Sequence, residues 1–161
     1  MSLGRRWGVL AAAWAVLFAA LHVFWALGGS TGLASSAGTD LAAERPGWFV
    51  VAGLWGVAVL LLVAAALALT LARGPHRRAL VLAGGAVGLF LLTRGLGIQV
   101  LMLAGAYDGN AAIGPEQRHW SLLLWNPWFV VGGVAFLLAA LSGARTRPTI
   151  RGGRRWARER G

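Results

Sequence analysis

Residues 48–72 contain no charged side chain and read WFVVAGLWGVAVLLLVAAALALTLA. At about 1.5 Å per residue, an α-helix of this length crosses the ~30 Å hydrocarbon core of a bilayer. Three further apolar stretches have similar lengths, so spans 1 to 4 are predicted at residues 7–27, 48–72, 79–104 and 120–142. The sequence therefore predicts an all-α, integral membrane four-helix bundle.

The overall composition agrees with a membrane protein, since 58% of the residues are hydrophobic and only 12% are charged. A net charge of +10 is also found in nucleic-acid-binding proteins, but here the cations lie between apolar runs rather than on one polar face. We therefore predict membrane lipid as a partner and no nucleic acid. The absence of cysteine excludes disulfides and thiolate metal ligands. All fifteen basic residues are arginine, which is typical of a GC-rich bacterial genome.

The arginines are distributed unevenly between the two sides of the predicted bundle. Twelve of the fifteen precede span 1, join spans 2 and 3 or follow span 4, whereas only Arg45 and Arg118 lie on the opposite side. The positive-inside rule then predicts a multi-pass protein of the bacterial cytoplasmic (inner) membrane, N-in and C-in, with both termini cytoplasmic. Residues 1–144 are predicted to form the transmembrane domain, and the basic tail 145–161 to be disordered against anionic lipid.

Two similar segments lie where the chain turns back from the outer side. Residues 46–53 read PGWFVVAG and residues 126–133 read NPWFVVGG. They are interpreted either as a trace of two repeated helical hairpins or as the common preference of Pro and Trp for interfacial helix starts. Pro127 likewise has two interpretations: it starts span 4 after a separate turn over residues 120–125, or it kinks one continuous span. Gly84 and Gly88 form a GxxxG pair that is expected to pack within the bundle.

Polar side chains inside the spans are the candidates for function, because they are costly in hydrocarbon unless they meet a partner or water. His22, Arg94 and Asn126 are predicted at a similar depth, in the outer third of the bilayer. On span 1, His22 shares one helical face with Trp14, Phe18, Trp25 and Gly29, and that face is predicted to point into the bundle. The candidate ligand-binding residues are His22, Trp25, Arg94, Gln99 and Asn126, with Tyr107, Asp108, Glu116 and His119 as secondary candidates in the outer loops.

These residues have a functional and a structural interpretation. In the first, they line an outward-facing pocket in which Arg94 binds an anionic or polar headgroup. In the second, Arg94 pairs with Asp108 or a carbonyl, and His22 with Asn126, to fix the helices. No nucleophile, P-loop, zincin or dinucleotide motif occurs, so we predict no catalytic residue, no metal and no cofactor. The sequence favours a non-enzymatic role and leaves an enzyme open.

Two segments resemble a known family. Residues 22–29, HVFWALGG, contain an HxxWALGG element that closes the first span, and residues 125–133 read WNPWFVVGG. Both are similar to a family of uncharacterised small bacterial four-helix membrane proteins, a domain of unknown function. The resemblance spans most of the chain and implies its fold and topology.

Three functions remain open from the sequence. A lipid or small-molecule binding or transport-accessory protein would have a polar pocket in the outer leaflet half, lined by His22 and Arg94. A structural or interaction subunit would have a filled interior and a small-residue helix face that docks another membrane protein. An intramembrane enzyme would need His22 within reach of an acid or a bound cation.

Overall fold

The chain is a bundle of four long helices in the computed structural model, which describes residues 3–73, 78–107 and 113–145. Span 1 is Leu3–Ala26, span 2 is Phe49–Ala72, span 3 is Arg78–Leu103 and span 4 is Pro115–Ser142. Each is long and apolar enough to cross a membrane. The described residues contain no strand, so the predicted all-α four-helix fold is confirmed. The predicted disordered tail lies, from residue 146 onward, outside the described residues.

Three helix ends differ by more than one residue from those read off the hydropathy. Span 1 begins at Leu3, so Arg5 and Arg6 are part of the helix; a long arginine side chain lets the charged group reach water from there. Span 4 begins at Pro115, whose fixed φ suits a first helical position, with Glu116 in the first turn. Helical structure at the other end of span 4 continues to Arg145.

The four spans pack unevenly. Spans 1 and 2 form one closely packed antiparallel pair and spans 3 and 4 form another, and span 1 also packs along span 4. Spans 2 and 3 meet along far less of their length. We call the end of the bundle where span 1 begins and span 4 finishes the terminal end, and the opposite end the loop end. The loop end carries two short helices, Leu33–Ala37 and Thr39–Glu44.

Glycines allow the closest helix contacts. A Cβ atom on Gly88 would lie 2.8 Å from the backbone nitrogen of Leu137 and 2.9 Å from the carbonyl oxygen of Gly133. A Cβ on Gly95 would lie 2.8 Å from the carbonyl oxygen of Asn126. Spans 3 and 4 therefore approach backbone to backbone, and the predicted packing of Gly84 and Gly88 within the bundle is confirmed.

Span 4 is helical through Pro127, without a separate interfacial turn before it. The turn Ser121–Trp125 is π-helical, and the N–H of Asn126 donates to the carbonyl of Ser121, five residues back. A proline lacks the N–H for the usual bond and crowds the carbonyl four residues before it, so the wider turn makes room for the Pro127 ring. Span 2 also begins π-helical, over Phe49–Gly56. The π segment follows Pro46 in span 2 but precedes Pro127 in span 4, and the hairpin repeat stays a prediction.

Two arginines at the loop end bind the carboxyl-terminal ends of spans 1 and 3. The guanidinium of Arg45 donates to the carbonyl oxygens of Trp25, at 2.9 Å, and of Gly29, just after span 1. Arg118 donates to the carbonyl of Met102, near the end of span 3, at 2.9 Å. Carbonyls at a helix end lack intrahelical partners, and cations there also oppose the negative end of the helix dipole.

Candidate functional site

The aromatic face of span 1 points into the bundle, as predicted. Trp14, Phe18, His22 and Trp25 are all buried, with exposed fractions of 5%, 5%, 8% and 1%. The rings of Trp14, Phe18 and Trp25 meet aromatic side chains of span 4 in stacked and edge-to-face contacts, with centroid distances between 5.6 and 6.5 Å. The span 4 partners are Trp125, Trp128, Phe129 and Phe136. Phe18 and Trp25, the two rings that His22 packs against, are thereby held against span 4.

His22 is hydrogen-bonded to its own helix rather than to Asn126. Its Nδ1 lies 2.8 Å from the carbonyl oxygen of Phe18, and because a carbonyl only accepts, Nδ1 carries the hydrogen. In a neutral ring, Nε2 is then an acceptor. The ring packs edge-on against Phe18 and Trp25, at centroid distances of 4.6 and 5.2 Å.

Arg94, Asn126 and Gln99 form a hydrogen-bonded chain between spans 3 and 4. Nη1 of Arg94 donates to Oδ1 of Asn126 at 3.3 Å, and Nδ2 of Asn126 donates to Oε1 of Gln99 at 3.0 Å. The guanidinium carbon of Arg94 also lies 5.0 Å from the ring centre of Phe129, a cation–π contact. Arg94 thus has a side-chain amide as partner. Asp108, the acid predicted to pair with it, lies outside the described residues.

A cleft of about 620 Å³ lies between spans 2 and 3 and reaches back to the aromatic side chains of spans 1 and 4. It runs about 15 Å along span 2, from Val57 to Leu67. Most of the lining is apolar, and the polar side chains lie toward the loop end. Those polar residues are His22, Ser36, Arg94 and Ser121.

The cleft opens sideways, toward the lipid. Leu60, Val63 and Phe90 line it and are nevertheless 68%, 62% and 69% exposed. The opening exists because spans 2 and 3 have little direct contact. A chain-like apolar group can therefore reach the cleft without crossing an aqueous phase.

Residues 15–136 match the family described as Protein of unknown function (DUF3995). The chain belongs to this family. The match takes in both segments that carry the resemblance, residues 22–29 and 125–133. No curated protein and no solved structure matches this DUF3995 chain. A function is therefore inferred below from the chemistry of the cleft.

The predicted site residues of this DUF3995 member do not all line the cleft. His22 and Arg94 line the cleft. Asn126 is hydrogen-bonded to Arg94, and Gln99 is hydrogen-bonded to Asn126. Trp25 lies behind His22, and its indole donates to the carbonyl of Thr31 at 2.8 Å.

Of the four secondary candidates, Asp108 is outside the described residues, and the other three lie at the loop end, apart from the cleft lining. Tyr107 is half-buried beyond span 3, whereas Glu116 and His119 are exposed in the first turns of span 4. The ring of His119 packs edge-on against Trp120, with centroids 5.6 Å apart. Among the described residues, no three His, Asp or Glu side chains come together as a metal site.

The cleft lining also contains residues that were not among the predicted site residues, including the polar Ser36 and Ser121 and the aromatic Trp125 and Phe129. Three of these follow a spacing of four along span 4, and Gly132 and Phe136 continue the same helical face. That spacing was a usable signal for this face of span 4. Ser36 has no such signal, since its position depends on how the Leu33–Ala37 helix folds over the bundle.

Proposed function

We propose that the protein binds an anionic amphiphile, with the headgroup at Arg94 and the chain along the cleft between spans 2 and 3. The observation that carries the proposal is the cleft itself, which combines one cation at its loop end with a long apolar lining. Its volume falls within the range of ligand-binding pockets. An amphiphile has the same division into a charged head and an apolar chain.

The charge of Arg94 supports an anionic ligand. A charge inside the membrane costs several kcal/mol unless it is paired. The described partners of Arg94 are the neutral amide of Asn126 and the ring of Phe129, and none of the described acids forms an ion pair with it. The exposed guanidinium has further N–H donors, which match the oxygens of a carboxylate or phosphate.

The other polar side chains favour a headgroup that also carries hydroxyl groups. With Nδ1 of His22 bound to Phe18, the Nε2 atom of the neutral ring accepts a hydrogen bond, so it suits a ligand donor. The hydroxyls of Ser36 and Ser121 both donate and accept. These groups lie at the same end of the cleft as Arg94.

The distribution of arginines supports an orientation in which the loop end faces the outside of a bacterial inner membrane. Arg45 and Arg118 are engaged with helix carbonyls, so the two loop-end cations have structural roles. Arg5, Arg6, Arg73 and Arg78 are exposed at the terminal end, which the positive-inside rule places in the cytoplasm. The ligand would then come from the outer leaflet.

The two alternatives have less support. A docking subunit was expected to use glycine faces, but Gly84, Gly88, Gly132 and Gly133 pack inside the bundle. An enzyme was expected to bring His22 to an acid or a cation, whereas its hydrogen-bond partner among the described residues is the carbonyl of Phe18.

The test compares a fluorescent alkyl phosphate with the uncharged alcohol of the same chain, bound to protein in nanodiscs of neutral lipid. We expect the wild type to prefer the phosphate by about tenfold or more, as for a hydrogen-bonded charge pair worth about 1.5–3 kcal/mol. Arg94→Gln should remove that preference. Arg78→Gln removes the same charge from the other end of span 3 and should keep it. Equal binding of the two probes by the wild type, or an unchanged preference in Arg94→Gln, would refute the proposal.

A further inference from the structure

A second recess lies at the terminal end of the bundle, in the half of the molecule opposite to the polar end of the cleft. It has a volume of about 350 Å³ and is lined by two arginines and three apolar residues. Arg5 of span 1 and Arg73, which follows span 2, supply the charge. Val9, Leu69 and Ala72 supply the apolar lining. We call this recess the arginine niche.

The niche depends on the close approach of spans 1 and 2. Gly8 makes this possible: a Cβ atom there would lie 2.7 Å from the Cβ of Ala72 and 2.9 Å from the carbonyl oxygen of Ala68. Span 1 starts and span 2 ends at this point, so the contact brings Arg5 and Arg73 to the same recess. The two cations thus line one recess, although 68 positions separate them along the chain.

Nothing in the described part of the chain neutralises this pair of charges. Neither Arg5 nor Arg73 has a side-chain hydrogen bond or an ion pair to any described residue, and both are exposed. The described acids, Asp40, Glu44 and Glu116, all lie at the loop end. Two neighbouring guanidinium groups repel each other, and an anion placed between them removes that repulsion.

We propose that the arginine niche binds the phosphate of an anionic phospholipid from the leaflet at the terminal end. Phosphate accepts bidentate hydrogen bonds from guanidinium groups, and the apolar lining suits the start of an acyl chain rather than a free ion in water. Basic recesses between membrane helices are established binding places for such headgroups. Because Arg5 and Arg73 belong to different spans, one bound phosphate links span 1 to span 2 and stabilises the bundle.

Because the cleft at Arg94 is also proposed to bind an anionic amphiphile, the niche is tested in the Arg94→Gln background, in which the variants below are made. The test is thermal unfolding of this protein in neutral detergent with phosphatidylglycerol, phosphatidylcholine or inorganic phosphate added. We expect phosphatidylglycerol to raise the melting temperature by about 5 °C when it is well above its dissociation constant, and the other two additions to have little effect. The double variant Arg5→Gln/Arg73→Gln should lose this shift. The matched double variant Arg6→Gln/Arg78→Gln removes two exposed arginines of the same end from outside the niche, and should retain it.

Several results would overturn the proposal. An equal shift with phosphatidylcholine would show that the headgroup charge is irrelevant, and an equal shift with inorganic phosphate would show a free-anion site. Loss of the shift in both double variants would show attraction to the basic end in general. Should the niche variant not fold, native mass spectrometry of the Arg94→Gln protein in an equal mixture of the two lipids decides the question. Preferential retention of phosphatidylglycerol supports the niche, and equal retention refutes it.

Discussion

Asn126 is the central member of the hydrogen-bonded side chains Arg94, Asn126 and Gln99, and its amide has one orientation. It is the most deeply buried polar side chain among the described residues, with 1% of its surface exposed. Since a guanidinium only donates, the amide oxygen of Asn126 must face Arg94, and its nitrogen then donates to Gln99. The side chain of Asn126 therefore forms hydrogen bonds to residues on two turns of span 3, and it holds the Arg94 side chain at the cleft.

Replacing Asn126 should destabilise the bundle. In Asn126→Leu the shape is nearly kept, but Arg94 and Gln99 both lose their partner, so we expect a loss of about 1–2 kcal/mol in the free energy of unfolding. Gln99→Leu breaks only the second bond and should cost less. The measurement is denaturant unfolding in detergent micelles. An Asn126→Leu variant as stable as the wild type would show that the chain of bonds contributes nothing to stability.

The sequence allowed the key polar residues to be singled out, but not their partners. His22, Arg94 and Asn126 are conspicuous because they interrupt apolar runs, and counting residues gives their depth. Depth does not give rotation: neighbouring residues on a helix differ by about 100° in direction. Asn126 thus faces Arg94, whereas adjacent Trp125 faces the aromatic side of span 1.

At the scale of the helices, spans 3 and 4 are held together at positions where a side chain has no room. Gly88 and Gly133 face each other across this contact. Gly85 lies on span 3, like Gly88, but a Cβ atom there would have no neighbour within 4 Å. These two positions on span 3 therefore separate the effect of helix packing from that of helix propensity.

Adding a methyl group should have opposite consequences at these two positions. Gly88→Ala would place Cβ against the backbone of span 4, and we expect a loss of about 1–3 kcal/mol from overpacking. Gly85→Ala meets nothing within 4 Å and should be neutral or slightly stabilising, since Ala favours the helix over Gly. Thermal unfolding of both variants checks this, and equal melting temperatures would contradict the packing described here.

Hydropathy alone was enough to predict that the four spans exist, because each must be apolar over most of its length. It could not predict the π-helical turns, which depend on how the backbone accommodates the Pro127 ring and the neighbouring spans. The start of span 4 at Pro115 was missed for a related reason. Residues 116–119 are polar or charged and carry no hydropathy signal, although Pro115 was a usable sign of a helix start.

On the scale of the whole molecule, the cleft follows from the unequal pairing of the spans. Two tight hairpins are joined mainly through spans 1 and 4, and this leaves spans 2 and 3 apart on the opposite side. The gap is wide enough for a chain-like ligand and ends at Arg94. The sequence predicted polar residues at one depth, but the opening depends on which spans touch, which hydropathy does not record.

The orientation of the bundle can be tested with single cysteines, since the chain has none of its own. Ala43 is exposed at the loop end and Leu3 is exposed at the terminal end, so the two variants are Ala43→Cys and Leu3→Cys. On intact bacterial cells, a membrane-impermeant maleimide should label the first and reach the second only after permeabilisation. The reverse pattern would place the cleft's polar end toward the cytoplasm and contradict the proposed orientation.

Occupancy of the cleft is best tested by blocking it. Ala64 lines the cleft, whereas Ala66, on the same span, is exposed and lies outside it. A photoactivatable alkyl phosphate should cross-link to peptides containing cleft residues such as Phe90 or Trp125, and the sites are mapped by mass spectrometry. We predict that Ala64→Phe abolishes this cross-linking while Ala66→Phe leaves it at the wild-type level. Cross-linking that is unchanged in Ala64→Phe, or that maps only to lipid-facing positions outside the cleft, would contradict the account.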